Sequence, residues 1–160
     1  MLREIDQNAI APAMLLLPMA MDSPRAHIQL LAMGLQESAL RYRVQHMNGP
    51  AHGLWMFERG GGVRGVLEHP STCAIALNAC EAHHVTADAQ SVWEVLPTDD
   101  VLAAAFARLF LWTDAHNLPN DAQGGWLTYL RTWRPGRPRP DTWPAFYAQA
   151  EDWVLRGVDS

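Results

Sequence analysis

Apolar residues recur at helical spacing along most of the chain, and nowhere do they alternate over a length that would make a useful strand. Residues 9 to 20 read as a short apolar helix that ends near Pro18. Asp22 or Ser23 then caps a second helix with Pro24 in its first turn, where the missing amide hydrogen costs nothing. Ile28, Leu31 and Leu35 fall three and four apart, so they share one core-facing side. Glu37, two residues beyond Leu35, lies at the margin of that side, near the helix end. Residues 41 to 53, with Asn48, Gly49, Pro50 and Gly53, read as a surface loop, and 53 to 58 is apolar and irregular. Gly60, Gly61 and Gly62 turn the chain into a helix over residues 63 to 68, stopped by Pro70.

Helices follow over residues 71 to 83 and 88 to 96. The clearest pattern spans 98 to 114, where Val101, Leu102, Ala105, Phe106, Leu109, Phe110 and Thr113 repeat at spacings of three and four. This predicts a central core helix, capped by Thr98 and favoured by Asp99 and Asp100 at its positive end. A loop with Asn117, Pro119 and Asn120 leads to a helix over 122 to 133 that carries Trp126, Tyr129, Leu130 and Trp133. The stretch Pro135 to Pro140 breaks it, and a last helix over 142 to 155 carries Trp143, Phe146, Ala150 and Trp153. The expected fold is mostly α: one helical domain over residues 1 to 160 with an irregular loop in its first half.

Composition narrows the chemistry. A chain of 160 residues buries roughly 70% of its unfolded surface in one core. A net charge of −5 argues against a general nucleic-acid binder, which needs a basic face to displace counterions. All twelve basic residues are arginine, and Arg131, Arg134, Arg137 and Arg139 cluster among prolines. They read as a solvated helix end and loop rather than a polyanion-binding patch. Cys73 and Cys80 lie two helical turns apart, about 10 Å and beyond disulfide reach, and read as reduced core thiols. His83 and His84 follow at no trusted zinc spacing, so no metal is expected. The glycine run lacks the Lys-Ser or Lys-Thr of a phosphate loop and points to close backbone packing. The apolar run Ala9 to Met21 is too short to span a bilayer and is interrupted by Pro12 and Pro18. The charges of Arg3, Glu4 and Asp6 are unlike a signal peptide, so neither a membrane span nor a signal peptide is expected.

One carboxylate stands out. Glu37 ends an apolar helix, and the chain returns past it as Gly53-Leu54-Trp55-Met56-Phe57. A glutamate against apolar and aromatic neighbours resists ionisation, because desolvation penalises its charged form, and so can act as a general acid near neutral pH.

Glu37-Ser38 at a helix end, followed some fifteen residues on by Gly53-Leu54-Trp55-Met56-Phe57, resembles the lysozyme-like superfamily of lytic transglycosylases and goose-type lysozymes. The pattern there is Glu-Ser, a polar loop, then Gly-Leu-Met-Gln or a close variant. Gln36, Gly49-Pro50-Ala51, Phe57-Glu58 and the glycine run look similar to a branch found in tailed bacteriophages, as does the segment Trp126 to Gly136. The likeness covers residues 20 to 147 and is stronger in the first half.

The resemblance implies a lysozyme-like fold in which Glu37 protonates the glycosidic oxygen between N-acetylmuramic acid and N-acetylglucosamine, with no cofactor. The same glutamate then takes a proton from the muramoyl 6-hydroxyl, leaving a 1,6-anhydro end, or water attacks with a second carboxylate as base. Glu58 is the nearest candidate for that base, against a plainer reading as a solvated glutamate paired with Arg59 or Arg64. The resemblance also implies substrate contacts from Ser38, Gly53, Leu54, Trp55, Met56 and Phe57, with Trp55 and Phe57 as groove walls. Tyr129 resembles a late tyrosine that hydrogen-bonds the catalytic glutamate. Trp93, Trp112, Trp143 and Trp153 lie at core spacing and are expected to pack.

Met56 stands where the family usually has glutamine, and a thioether cannot replace an amide's hydrogen bonds. The partners implied are peptidoglycan glycan strands and other phage virion proteins, and the location is the virion or the host cytoplasm before release to the periplasm. Two other readings compete. One is a virion structural or assembly protein that keeps the fold with weak or no activity, motivated by Met56; the other is a helical protein-interaction module.

Overall fold

The computed structural model describes residues 1–160 and is mostly helical. The chain begins in helix earlier than its apolar run suggests. Helices α1 (Leu2–Ile5) and α2 (Ala11–Leu15) are joined by a π-helical turn, Asp6–Ile10. Leu2, Ile5, Ala9, Ala13 and Leu17 follow one another at spacings of three and four and are all buried, so Arg3, Glu4 and Asn8 occupy the solvent face of the same helix. Pro12 has no amide hydrogen for the residue four back, and the wider π turn directly precedes it. The helix ends at Leu15, a turn before the expected end near Pro18, and Met19–Met21 form a 3₁₀ turn after Pro18.

Helix α3 (Pro24–Ser38) starts as expected, the Ala26 amide donating to Ser23 Oγ at 3.2 Å with Pro24 in the first turn. It runs through the interior and packs along α9 (Trp143–Arg156). Helix α7 (Asp100–Trp112) is the most deeply embedded, with Leu102 through Ala107 and Leu109 all at 0% exposure. Its cap is Asp99, not Thr98: the Leu102 amide donates to Asp99 Oδ1 at 2.9 Å, while the Thr98 hydroxyl donates back to the Val95 carbonyl. Asp88 and Asp121 cap α6 (Ala89–Val95) and α8 (Ala122–Trp133) in the same way. Helices α4 (Arg64–Glu68) and α5 (Cys73–Ala82) complete the set around a single core of 38 buried apolar residues that runs from Leu2 to Ala150.

Three expectations fail locally. Residues 51 to 58 are not wholly irregular: β1 (Ala51–His52) pairs antiparallel with β2 (Phe57–Glu58), in the register Ala51 to Glu58 and His52 to Phe57. Cys80 is buried but Cys73 is exposed, because only Cys80 points into the core from α5. Trp112 is 39% exposed at the end of α7, with the Arg108 guanidinium 5.3 Å from its ring centre. The other three indoles are held by partners. Trp93 stacks on His52 and donates to the Pro50 carbonyl, Trp143 donates to the Ala122 carbonyl, and Trp153 donates to Asp6.

Within the glycine run close packing holds only at Gly62, since a Cβ on Gly60 would meet nothing within 4 Å and one on Gly61 only an ordinary contact at 3.6 Å. A Cβ on Gly62 would sit 2.4 Å from Phe57 and 2.8 Å from Phe110, so only glycine lets this turn lie against those rings.

His27 fastens α3 to the N-terminal helix. Its Nδ1 lies 2.5 Å from Asp6 and its Nε2 2.9 Å from Asp22, so the imidazolium is the form that donates to both. Burial lowers its pKa, and the hydrogen bonds and charges of Asp6 and Asp22 outweigh burial and raise it above the ordinary histidine value. Stability from this contact is fully present below that ordinary value and is lost as pH rises through the raised one. A His27→Gln variant is expected to lose that part of the pH dependence in urea denaturation series.

Candidate functional site

Glu37 lies in the last turn of α3, and the chain reverses immediately after it. Ala39 and Leu40 both adopt left-handed backbone, and the Leu40 amide donates to the Gly34 carbonyl at 3.2 Å. Leu40 then folds over Gly34, where any Cβ would meet its Cδ2 at 2.2 Å. The adjoining Ser38 hydroxyl is buried and donates to the Leu54 carbonyl at 2.6 Å, with the Gly34 carbonyl a second acceptor at 3.2 Å. Ser38 therefore ties the helix end to the returning segment. That fixes where Glu37 points.

The returning segment is a tight turn between the two strands. Gly53 (φ 79°) and Met56 (φ 50°) take left-handed backbone, and the Met56 amide donates to the Gly53 carbonyl at 2.9 Å. This geometry sends Trp55 inward instead of into a groove. It is 0% exposed, its indole donates to the Leu30 carbonyl at 2.8 Å, and its own carbonyl accepts from the Trp133 indole at 2.9 Å. Leu54 is also fully buried, and Gly53 is buried with its amide donating to the Arg43 carbonyl. Gly53, Leu54 and Trp55, expected as substrate contacts, thus shape the site from behind.

A cleft of about 1460 Å³ opens over the end of α3. Glu37, Ser38, Met56, Phe57, Glu58 and Tyr129 line it, together with Phe110 and Trp133. Pockets for single small ligands measure roughly 300–1,000 Å³, so this larger space suits an extended molecule. Phe57, expected as a groove wall, is only 2% exposed and instead backs the half-buried Phe110 and Trp133, the three ring centres lying 4.9 to 5.9 Å apart.

The Tyr129 hydroxyl donates to Glu37 Oε1 from the far half of the chain. Its ring is buried and stacks on Trp143, so the hydroxyl is held in place by packing. Burial, with the facing Glu37 carboxylate, pushes the Tyr129 pKa far up, so it stays a donor at every ordinary pH. For Glu37 the largest influence is burial, which raises its pKa above the usual glutamate value, while the Tyr129 hydrogen bond and the Arg139 charge pull it partly back. Tyr129→Phe removes one of the two opposing influences. The carboxyl ¹³C titration of Glu37 is expected to move to higher pH in that variant, and an unchanged midpoint would contradict the geometry.

The other cleft carboxylates differ from Glu37. Glu58 is exposed on β2 and makes no ion pair, since Arg59 donates to Gln90 and Arg64 pairs with Glu68. Burial raises Asp114, but Arg131 at 2.8 Å and His116 at 3.0 Å outweigh it and hold the carboxyl below its usual range. Of Glu37 and Asp114, only Glu37 is held toward the acid form. No group of three or more His, Cys, Asp or Glu side chains is placed to hold a metal ion.

Residues outside the expected set also reach the cleft. All four clustered arginines are exposed, as expected of a solvated helix end and loop, and they also line the cleft. Arg139 and Gln36 bond reciprocally: Arg139 Nη2 donates to the Gln36 carbonyl at 3.0 Å and Gln36 Nε2 donates to the Arg139 carbonyl at 3.1 Å. The Thr142 hydroxyl adds a bond to Gln36 Oε1 at 2.9 Å. The loop after α8 is thereby fastened across the end of α3. Comparison with protein-family models, curated proteins and solved structures finds no match for the chain.

Proposed function

We propose that the chain cleaves the glycan strands of peptidoglycan between N-acetylmuramic acid and N-acetylglucosamine, with Glu37 as general acid and then base. One observation carries this reading: a single carboxyl, half-buried at the end of a helix in a long cleft with aromatic residues along it and held by a fixed tyrosine hydroxyl. Protonated Glu37 gives its proton to the glycosidic oxygen as the bond to the muramoyl anomeric carbon breaks, and the N-acetylglucosamine side leaves as the alcohol. Glu37, now a carboxylate, takes the proton of the muramoyl 6-hydroxyl as that oxygen closes on the anomeric carbon. The acid is restored, no water is consumed, and a 1,6-anhydro end remains.

Asp114 is held below its usual range by Arg131 and His116, and Glu58 is exposed, which favours this route over one with a separate base. Tyr129 keeps one carboxylate oxygen occupied, leaving the other to carry the proton. The setting proposed is a tailed phage, with the chain acting from the virion or stored in the host cytoplasm until release. No helix is long and apolar enough to cross a membrane.

Met56 favours a second reading. It sits half-buried in the cleft on left-handed backbone and offers a sugar no hydrogen bond of amide quality, as expected of a virion structural or assembly protein whose activity has lapsed. Mass spectrometry of fragments from purified cell walls tests the choice. Anhydro-muramoyl ends support the single-carboxylate mechanism, reducing ends would show that water attacks instead, and no fragments at all would favour the structural reading.

A further inference from the structure

The protein carries a net charge of −5, yet four of its twelve arginines fall on one edge of the cleft. Two of them are occupied, since Arg131 pairs with Asp114 and Arg139 is fastened to Gln36. Arg134 and Arg137 are exposed, and their guanidinium groups make no hydrogen bond or ion pair with the protein. Their backbone is nonetheless stiff. Arg134 closes α8 in left-handed conformation, and Pro135, Pro138 and Pro140 each restrict φ along a loop that the Gln36 and Arg139 pair ties down. Two free guanidinium groups are thus presented at the cleft on a rim that loses little backbone freedom when a ligand binds.

Resting on the reading of the cleft as a peptidoglycan site, we propose that Arg134 and Arg137 bind carboxylates of the peptide branches carried by the glycan strand, so that strands with their acidic substituents intact are the preferred substrate. The sugar hydroxyl and acetamido groups are neutral, so the anionic groups of such a strand lie on its peptide branches. The guanidinium fork matches a carboxylate with two parallel hydrogen bonds. Glu58, exposed on β2 in the same cleft, repels the same groups, so the branches face the α8 edge and the strand has one preferred orientation.

The test compares soluble strands prepared from purified cell walls with the same strands after carbodiimide coupling to ammonia, which turns their carboxylates into neutral amides. Two exposed charge-assisted pairs predict a KM about tenfold higher for wild type on the amidated strands, a difference that shrinks in raised salt. The variant R134Q/R137Q is expected to show the higher KM on both substrates and to lose the preference. Equal KM values for wild type on the two substrates, or a variant that keeps the preference, would overturn the inference while the cleft's role in glycan cleavage stands. If wild type neither cleaves nor binds either substrate, the proposed function fails and this inference fails with it.

Discussion

Trp55→Ala is expected to destabilise the fold by about 3–5 kcal/mol, the cost of emptying a fully packed aromatic site. The indole has no exposed surface, packs close to Gly34 and spends its only donor on the Leu30 carbonyl. For a chain of this length that corresponds to a fall on the order of 10 °C in the thermal midpoint. Thermal or urea denaturation reads it directly. A tryptophan that contacted sugar would behave differently, with weakened strand binding and a stability change within about 0.5 kcal/mol. That second outcome would show that the turn from Gly53 to Met56 lies the other way up.

The same turn explains part of what the sequence left illegible. Helical positions repeat, so the spacing in α7, α8 and α9 told which side faces inward, and Glu37 could be placed at a margin by its offset from Leu35. A turn has no period. Nothing local showed that both Trp55 and Phe57 would be core residues, at 0% and 2% exposure, with only Phe57 backing the cleft. The start of α1 was hidden for another reason: it is only four residues long, with Leu2 and Ile5 its two apolar positions, too short for a period to show before the polar residues 6 to 8. Long-range contacts were the least legible. The cluster Arg131 to Arg139 was plain in the sequence, but its crossing over the end of α3 depends on Gln36, about a hundred residues away. Tyr129 was picked out by resemblance alone, and its spacing would equally have suited a plain core tyrosine.

Glu37→Gln carries the largest expected effect on function. Glutamine has nearly the same shape, and its Oε1 still accepts the Tyr129 hydroxyl, but it has no proton to give a leaving oxygen. Loss of a general acid lowers the rate by about 10²- to 10⁴-fold. The fold is expected to respond in the opposite direction. Because burial raises the Glu37 pKa, the folded chain holds that proton at pH values where the unfolded chain has released it. Stability therefore falls as pH rises from the ordinary glutamate value through the raised one, and levels off above it. Glutamine removes this dependence, so the variant is expected to be more stable than wild type at neutral pH, with the difference closing as the solution is acidified. Wild-type cleavage is expected to decline over the same rise in pH, as the acid form is lost.

The decisive measurement is the loss of turbidity of purified cell walls exposed to wild-type protein and to Glu37→Gln at equal concentration, with soluble glycan fragments assayed in parallel. Clearing and fragment release by wild type, with the variant slower by at least about a hundredfold, is the result expected if Glu37 supplies the proton. Walls left intact by wild type at every pH, or walls cleared equally by the variant, would contradict it.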